Sequence, residues 1–256
     1  MIRNFINAVQ FLTIVTVSRK HEVEEGDLAK SMVYFPVVGF LIGLLLVYAD
    51  KAFRLIALPD SIGNLLLVLF TVLLTRALHI DGLADMFDGL MGGHDHESRL
   101  AIMKDSRIGT AGVLGIIFVL FLKYLCLNNL FNSEKAAALY TALTLSRWSQ
   151  TLMAFEGNYG REEGMAKAFV GHLRTSGLAY ASIVAIGLTA FVIAQEEARA
   201  VFLILSAIIG VVLFTLFSRW YFASKLGGVT GDVIGAVSEL NEVLVLLLFV
   251  IFAGIN

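Results

Sequence analysis

The sequence contains few cysteine, proline and charged residues. Its single cysteine, Cys126, excludes an intrachain disulfide and a cysteine metal cluster. With only two prolines and no low-complexity linker, nothing marks a second domain, so we expect one integral membrane domain over residues 1–256. Charged residues make up 16% of the chain, against about 25% in ordinary soluble domains. A net charge of -2 and the absence of a Lys/Arg-rich block argue against nucleic-acid binding.

Hydrophobic residues are abundant instead, and they are arranged in long runs. They reach 58% of the chain, against about 45–50% in soluble domains. A helix needs about 20 mostly apolar residues to cross the hydrocarbon core. The runs therefore predict an all-α fold, a polytopic transmembrane helical bundle with seven or eight membrane helices. The seven predicted spans are Met32 to Ala49, Ile62 to Leu78, Ile108 to Leu127, Ala136 to Phe155, Gly177 to Ala194, Ala200 to Phe217 and Val243 to Ile255, the last extended by Val237 to Val243.

The segment Phe5 to Val17 is ambiguous as an eighth span. Asn4, Asn7 and Gln10 recur there at helical spacing, so the segment either spans the membrane or lies in its interface. Arg147 is unusual in a different way, because it falls midway along a predicted span. An unpaired charge there costs at least ~2.5 kcal/mol, so Arg147 should face a carboxylate or a polar cavity.

The distribution of Lys and Arg predicts the orientation of the bundle. Twelve of these residues fall on one side of the predicted spans and six on the other. Because positive residues are retained in the cytoplasm, the richer side should be cytoplasmic. It also carries the three longest polar connections, which are His79 to Arg107, Glu156 to Ser176 and Arg219 to Glu242. We therefore expect a multi-pass protein of the cytoplasmic (inner) membrane whose active site faces the cytoplasm.

The first polar connection begins with three aspartates at helical spacing. Asp81, Asp85 and Asp88 follow the apolar run that ends near Leu78, so we expect the helix to continue through them. Positions i, i+4 and i+7 share one helix face, which brings the three carboxylates together. Oxygen ligands at this density suit Mg²⁺ or Mn²⁺, and Mg²⁺ commonly binds one or two carboxylates together with substrate phosphates. A solvated helix end is the alternative.

Two further segments resemble phosphate sites. Lys104, Asp105 and Arg107 precede Gly109 at the start of a predicted helix, whose free amides and dipole attract phosphate. The alternative is that Lys104 and Arg107 only anchor the helix at the cytoplasmic surface, but such an anchor would not need Asp105 or the glycines.

The third segment, Gly227 to Glu242, joins a Gly/Thr-rich turn to an acidic helix on which Asp232 and Glu239 share a face. It contains no G-x-x-x-x-G-K-[ST] motif. The chain also has no G-x-S-x-G motif, no Cys/His nucleophile pair and no H-E-x-x-H motif. The remaining reaction class is metal-assisted phosphoryl or nucleotidyl transfer.

Together the three segments resemble the cobalamin synthase family, the adenosylcobinamide-GDP ribazoletransferases. The motifs are H-x-D-G-L-A-D-x-x-D-G at His79 to Gly89, M-K-D-S-R-x-G at Met103 to Gly109 and G-G-V-T-G-D-x-x-G-A-x-x-E-L at Gly227 to Leu240. The resemblance implies that α-ribazole or its 5′-phosphate joins adenosylcobinamide-GDP at the membrane, with Mg²⁺ required and GMP released. The sequence leaves open whether the protein forms a homo-oligomer.

The resemblance also implies roles for individual residues. The metal ligands would be Asp81, Asp85, Asp88, Asp232 and Glu239. Substrate would be bound by Lys104, Arg107, Gly228, Thr230 and Gly231. Asp81 is expected to be essential, and Asp88 or Asp105 would take the proton of the attacking hydroxyl.

Two other functions fit parts of the sequence. A CDP-alcohol phosphotransferase would also carry an aspartate-rich motif, but its Asp-Gly-x-x-Ala-Arg is absent, since Leu90 to Gly93 follow Asp88-Gly89. A secondary transporter would use intramembrane charges such as Arg147, but the acidic motifs lie at one face of the bundle and not at its midplane.

Overall fold

The structure is a computed structural model that describes residues 1–17, 26–193 and 200–254. Within these residues the chain forms eleven α-helices and two short 3-10 turns, Met32–Tyr34 and Met165–Ala168. The helices are α1 (Ile2–Leu12), α2 (Asp27–Ser31), α3 (Phe35–Leu55), α4 (Asp60–Leu74), α5 (Leu78–Gly92), α6 (His96–Ile102), α7 (Thr110–Asn128), α8 (Asn132–Ala154), α9 (Thr175–Ile193), α10 (Ala200–Leu226) and α11 (Gly231–Ala253). The only strand-like pairing in the described ranges is one parallel β-bridge between Tyr159 and Val229. The all-α prediction is confirmed.

The chain is a multi-pass membrane protein, with fewer apolar spans than the sequence predicted. Five described helical segments are long and apolar enough to cross a membrane: α3 together with α2 and the turn between them, α7, α9, α10 and α11. A sixth span results if the bent pair α4 and α5 counts as one. The predicted seven or eight is therefore slightly too many.

Three predicted spans account for the difference. α1 has 11 residues and a length of about 17 Å, short of a hydrocarbon core of about 30 Å, so this segment fits the interfacial alternative. α4 has 15 residues and is also too short by itself. α8 has 23 residues, which is long enough, but it is not among the helices that are apolar enough to span.

The break between α4 and α5 contradicts the expectation that one helix continues into the aspartates. Arg76 and Ala77 both adopt left-handed backbone conformations, with φ of 53° and 56°, and the two helices meet at 88°. Neither residue is a glycine or proline, so the sequence carries no ordinary signal for this turn. The aspartates consequently lie on a helix of their own.

α8 forms the centre of the bundle, packed against α3, α9, α10 and α11. Gly39 and Gly43 let α3 approach it closely, since a Cβ at Gly39 would lie 2.1 Å from the Leu143 carbonyl oxygen. Large apolar side chains of α7 and α10 point outward, where lipid would surround them. The central position of α8 explains its polar composition, because this helix faces protein and not lipid. Its buried polar residues are Lys135, Thr141, Thr144, Ser146, Arg147, Ser149, Gln150 and Thr151.

A charge network runs through this centre and confirms the prediction for Arg147. Its guanidinium lies 3.5 Å from the Glu242 carboxylate and donates to Ser238 Oγ at 2.9 Å. Lys123 Nζ on α7 bonds both Glu239 and Glu242 of α11, at 2.5 and 2.8 Å. Two cations therefore balance two carboxylates inside the bundle. We call Lys123, Arg147, Glu239 and Glu242 the interior network.

Candidate active site

Three polar connections meet at one end of the bundle. The connection after α8 reaches the one before α11, because Gly160 N–H donates to the Val229 carbonyl and Val229 N–H to the Asn158 carbonyl. The same connection touches the turn after α6 through Arg161, which donates to the Met103 carbonyl at 3.4 Å. All three sequence motifs thus contribute to one region.

A cavity of about 230 Å³ lies at this end of the bundle. Its polar walls come from α5, α8, α11 and the connection after α8, and Phe11 of α1 closes one side. We call it the acidic cavity. Its polar lining residues are His79, Asp81, Gln150, Tyr159, Arg161 and Asp232.

The close crossing of α5 and α11 brings Asp81 and Asp232 to the same cavity. A Cβ at Gly82 would lie 2.7 Å from Asp232 Cα, and one at Gly235 would lie 3.1 Å from His79 Cα. Only glycine allows the two backbones to approach this closely. The pairing of the first and third motifs, which the sequence predicted, follows from this contact.

Asp85 lies one turn further along α5 and is half-buried. It interacts electrostatically with three other aspartates, Asp232, Asp81 and Asp88, and with one cation, Arg161. Carboxylates outnumber cations in this region. Such an excess of negative charge favours the binding of a cation.

Arg161 is the residue at this site that the sequence reasoning missed. Its guanidinium lies 2.6 Å from the Asp232 carboxylate, and its side chain is only 13% exposed. The sequence placed it in a long polar connection with a second arginine, Arg174, and gave no reason to select Arg161. Its position beside Asp232 depends on the backbone pairing of Asn158 and Gly160 with Val229.

Asp88 occupies the helix end at which the sequence predicted phosphate. One carboxylate oxygen accepts from Gly109 N–H at 2.7 Å and the other from Gly112 N–H at 2.8 Å. Asp88 thereby fixes the start of α7 against α5. Each of its two oxygens thus already accepts one amide hydrogen bond.

The charged residues before α7 are exposed and do not line the acidic cavity. Lys104 is exposed, and the Arg107 side chain is 87% exposed. Asp105 pairs with Arg107 at 2.6 Å, and the hydrogen bonds from Arg107 lower the pKa of Asp105 to about 2. A carboxylate with so low a pKa is a weak proton acceptor. The structure does not place Lys104, Asp105 or Arg107 on the cavity wall.

The glycine-rich turn before α11 mainly caps that helix and packs against the connection after α8. Thr230 is fully buried, and its hydroxyl caps α11 by accepting from Val233 N–H at 3.3 Å. Gly228 is packed against Asn158 and Gly160, where a Cβ would lie 2.4 Å from the Asn158 carbonyl oxygen. Of the three residues predicted to bind substrate here, only Gly231 lines the cavity.

Glu239 is separated from the aspartates although it shares a helix face with Asp232. Seven residues along α11 correspond to about 10 Å, which places Glu239 deeper in the bundle. There it is 2% exposed and bonded to Lys123, with His79 Nδ1 3.9 Å away. Gln150 and Ser238 link this interior network to the cavity, since the Gln150 amide lies 3.0 Å from His79 Nε2.

The donors present fit a magnesium ion, although no group of three is already assembled. Among the described residues no three His, Cys, Asp or Glu side chains converge closely enough to hold a metal ion. Asp81 and Asp232 nevertheless line one cavity, and Asp85 interacts electrostatically with both of them. Mg²⁺ prefers such oxygens, and it keeps several waters or phosphate oxygens in place of a full set of protein ligands.

Comparison with known proteins identifies relatives over nearly the full length. A family model described as cobalamin-5-phosphate synthase matches residues 4–250. The adenosylcobinamide-GDP ribazoletransferase of Geotalea daltonii is 37% identical over 99% of both chains. Proteins of the same name from Alkaliphilus metalliredigens and Fusobacterium nucleatum are 34% and 32% identical, over at least 96% of each chain. No solved structure matches this chain.

Proposed function

Because the chain belongs to the cobalamin-5-phosphate synthase family, we propose that it joins α-ribazole, or α-ribazole 5′-phosphate, to adenosylcobinamide-GDP. The products are adenosylcobalamin, or its 5′-phosphate, and GMP. The names of relatives that align over nearly the whole chain support this activity. The structural observation that supports it best is the acidic cavity, where Asp81 and Asp232 face Arg161.

The chemistry of the transfer accounts for this mixture of charges. A ribose hydroxyl attacks the phosphorus on the cobinamide side of the diphosphate, and the bond from that phosphorus to the GMP oxygen breaks. The hydroxyl loses a proton and the departing phosphate gains negative charge. Arg161 can donate to a phosphate oxygen without leaving the cavity, and it is the cation that lines it. Fixed donors of this kind stabilise developing charge most where water is excluded.

We propose that Asp81, Asp85 and Asp232 would hold Mg²⁺ at this site. Bound there, the ion would neutralise diphosphate oxygens and polarise the reacting phosphorus. Two residues assigned to the metal from sequence are left out of this set. Asp88 already accepts two amide hydrogen bonds, and Glu239 is bonded to Lys123 in the interior network.

The proposed placement is the inner membrane, with the acidic cavity facing the cytoplasm. The excess of Lys and Arg on the side of the three polar connections supports this orientation. A cytoplasmic site would also give direct access to the nucleotide substrate and release GMP into the cytoplasm.

Release of GMP by the purified protein tests the function. The protein in detergent is supplied with adenosylcobinamide-GDP, α-ribazole and Mg²⁺, and GMP is measured by chromatography. We expect wild type to release GMP and Asp81→Ala to lose at least about 100-fold in rate, as expected for loss of one group that stabilises the transition state. Asp60→Ala is the matched control, since Asp60 is an exposed carboxylate at the start of α4.

Two results would count against the proposal. If wild type releases no GMP, the transferase assignment fails, and a CDP-alcohol phosphotransferase or a transporter would give that result. If Asp81→Ala retains near-normal turnover, the acidic cavity is not the reaction site. Size-exclusion chromatography of both variants shows whether they remain folded.

A further inference from the structure

A second and larger cavity adjoins the acidic cavity. Its volume is about 1200 Å³, and Phe11, Gly164 and Phe169 line both cavities. Its walls come from α1, α2, the start of α9 and the connection between α8 and α9. We call it the basic cavity, because Lys30, Lys167, His172 and Arg174 line it and no Asp or Glu of the described residues does.

Two of these cations have no carboxylate partner among the described residues. Lys167 Nζ donates to a backbone carbonyl, that of Glu162, at 2.7 Å. Arg174 has no ion pair within the described part of the chain. Lys30 differs, because it lies 3.5 Å from Asp27, which also pairs with Arg3. Lys167 and Arg174, both exposed, therefore provide positive charge beside the acidic cavity that no carboxylate of the described residues pairs with.

The volumes of the two cavities indicate which part of the substrate each can hold. Pockets for small ligands usually measure about 300–1,000 Å³. At about 230 Å³ the acidic cavity has room for the reacting phosphate and a sugar, but not for two nucleotides. The basic cavity is large enough for a whole nucleotide and opens beside the site where the diphosphate would react.

We propose that the basic cavity binds the guanosine nucleotide half of the donor substrate, with the phosphate of the departing GMP held by Lys167 and Arg174. This inference rests on the proposed function. When the diphosphate is cleaved, the phosphate that remains on guanosine becomes a monoester and gains a negative charge. Arg161 is a single cation that also pairs with Asp232, so Lys167 and Arg174 would supply the further positive charge that the leaving group needs while Arg161 contacts the reacting phosphate.

Direct binding of GMP tests the proposal independently of turnover. Tritiated GMP is titrated by equilibrium dialysis into wild type and into Lys167→Ala/Arg174→Ala, both in neutral detergent without donor substrate. We expect the double variant to bind GMP at least about 10-fold more weakly, as for the loss of charged hydrogen bonds. Lys51→Ala is the control, because Lys51 is an exposed cation on α3 that lines neither cavity.

Other ligands distinguish the possible sources of the phosphate. Guanosine, which has no phosphate, should bind weakly and equally to wild type and the double variant. α-Ribazole 5′-phosphate should also be unaffected by the substitutions. GMP affinity should be the same in phosphatidylcholine nanodiscs with or without phosphatidylglycerol.

Each opposite result would overturn the proposal. Unchanged GMP affinity in the double variant would remove the two cations from the nucleotide site. A selective loss of α-ribazole 5′-phosphate binding would assign the basic cavity to the acceptor. Competition by phosphatidylglycerol would assign it to lipid headgroups. If the double variant fails to fold, Lys167→Gln and Arg174→Gln are measured singly. Because wild-type turnover is assayed separately, failure of the proposed function can be recognised independently.

Discussion

The molecule contains two clusters of charge that share a helix but differ in balance. In the interior network two carboxylates, Glu239 and Glu242, meet two cations, Lys123 and Arg147. Around the acidic cavity the aspartates outnumber the single guanidinium of Arg161. Both clusters use α11, and His79 and Gln150 connect them.

The difference separates a structural role from a functional one. A balanced and hydrogen-bonded cluster satisfies its own charges and fixes how α7, α8 and α11 pack. A cluster with surplus negative charge is costly unless a cation joins it. Glu239 and Asp232 lie on the same helix, yet their surroundings differ, and we propose a structural role for Glu239 and a chemical role for Asp232.

The largest expected effect comes from unbalancing the interior network. Lys123→Met leaves Glu239 and Glu242 without their shared cation, and loss of one buried partner costs about 3–5 kcal/mol of stability. Thermal unfolding in detergent would measure the loss. Lys51→Met is the control because that lysine is exposed, and Lys123→Met/Glu239→Gln should recover part of the stability. A near-wild-type melting temperature for Lys123→Met would show that the network is not needed for the fold.

A smaller effect is expected when the surplus charge at the acidic cavity is compensated. Mg²⁺ at 100 times its dissociation constant should stabilise the wild type by about 2.7 kcal/mol. Asp85→Asn should be at least as stable as wild type without Mg²⁺, because the other aspartates repel its carboxylate, and it should gain less from the ion. Asp60→Asn should respond like wild type. Equal stabilisation of Asp85→Asn and wild type would exclude Asp85 from the metal site.

The smallest effect concerns the bend that sets α5 apart from α4. Ala77 has a φ of 56°, a conformation that costs a non-glycine residue about 1–2 kcal/mol. Ala77→Gly should therefore raise the free energy of unfolding by up to about 1 kcal/mol, and Ala77→Val should lower it. Melting temperatures of the two variants provide the comparison. Destabilisation by glycine would mean that the rigidity of this turn matters more than its strain.

The parts of the fold predicted from sequence are those that depend on composition. Long apolar runs predicted α3, α7, α9, α10 and α11, because a helix that crosses a membrane is recognised by its length and hydropathy. The bend at Arg76 and Ala77 was not predictable, since neither residue marks a turn. The count of spans was too high because α1 and α4 are too short to cross the membrane and α8, which is surrounded by protein, is not apolar enough to be counted.

The candidate site was predicted in part, for a similar reason. Helical spacing correctly placed Asp81 and Asp85 on the same helix, and the third motif brought Asp232 to them. Spacing could not show that Asp88 caps the neighbouring α7, or that Glu239 lies a further two turns into the bundle. Arg161 depends on a backbone pairing between two distant connections, which no local pattern reveals.

The polar character of α8 has a consequence for how the protein is made. Arg147 finds its carboxylate on α11, which follows it by more than 80 residues, and Lys123 depends on the same helix. During synthesis these cations enter the bilayer before their partners exist. The interior network is therefore complete only when α11 has been inserted. A chain that ends before α11 leaves Lys123 and Arg147 without their carboxylate partners. We expect membrane proteases to recognise such a truncated chain by these two unpaired cations.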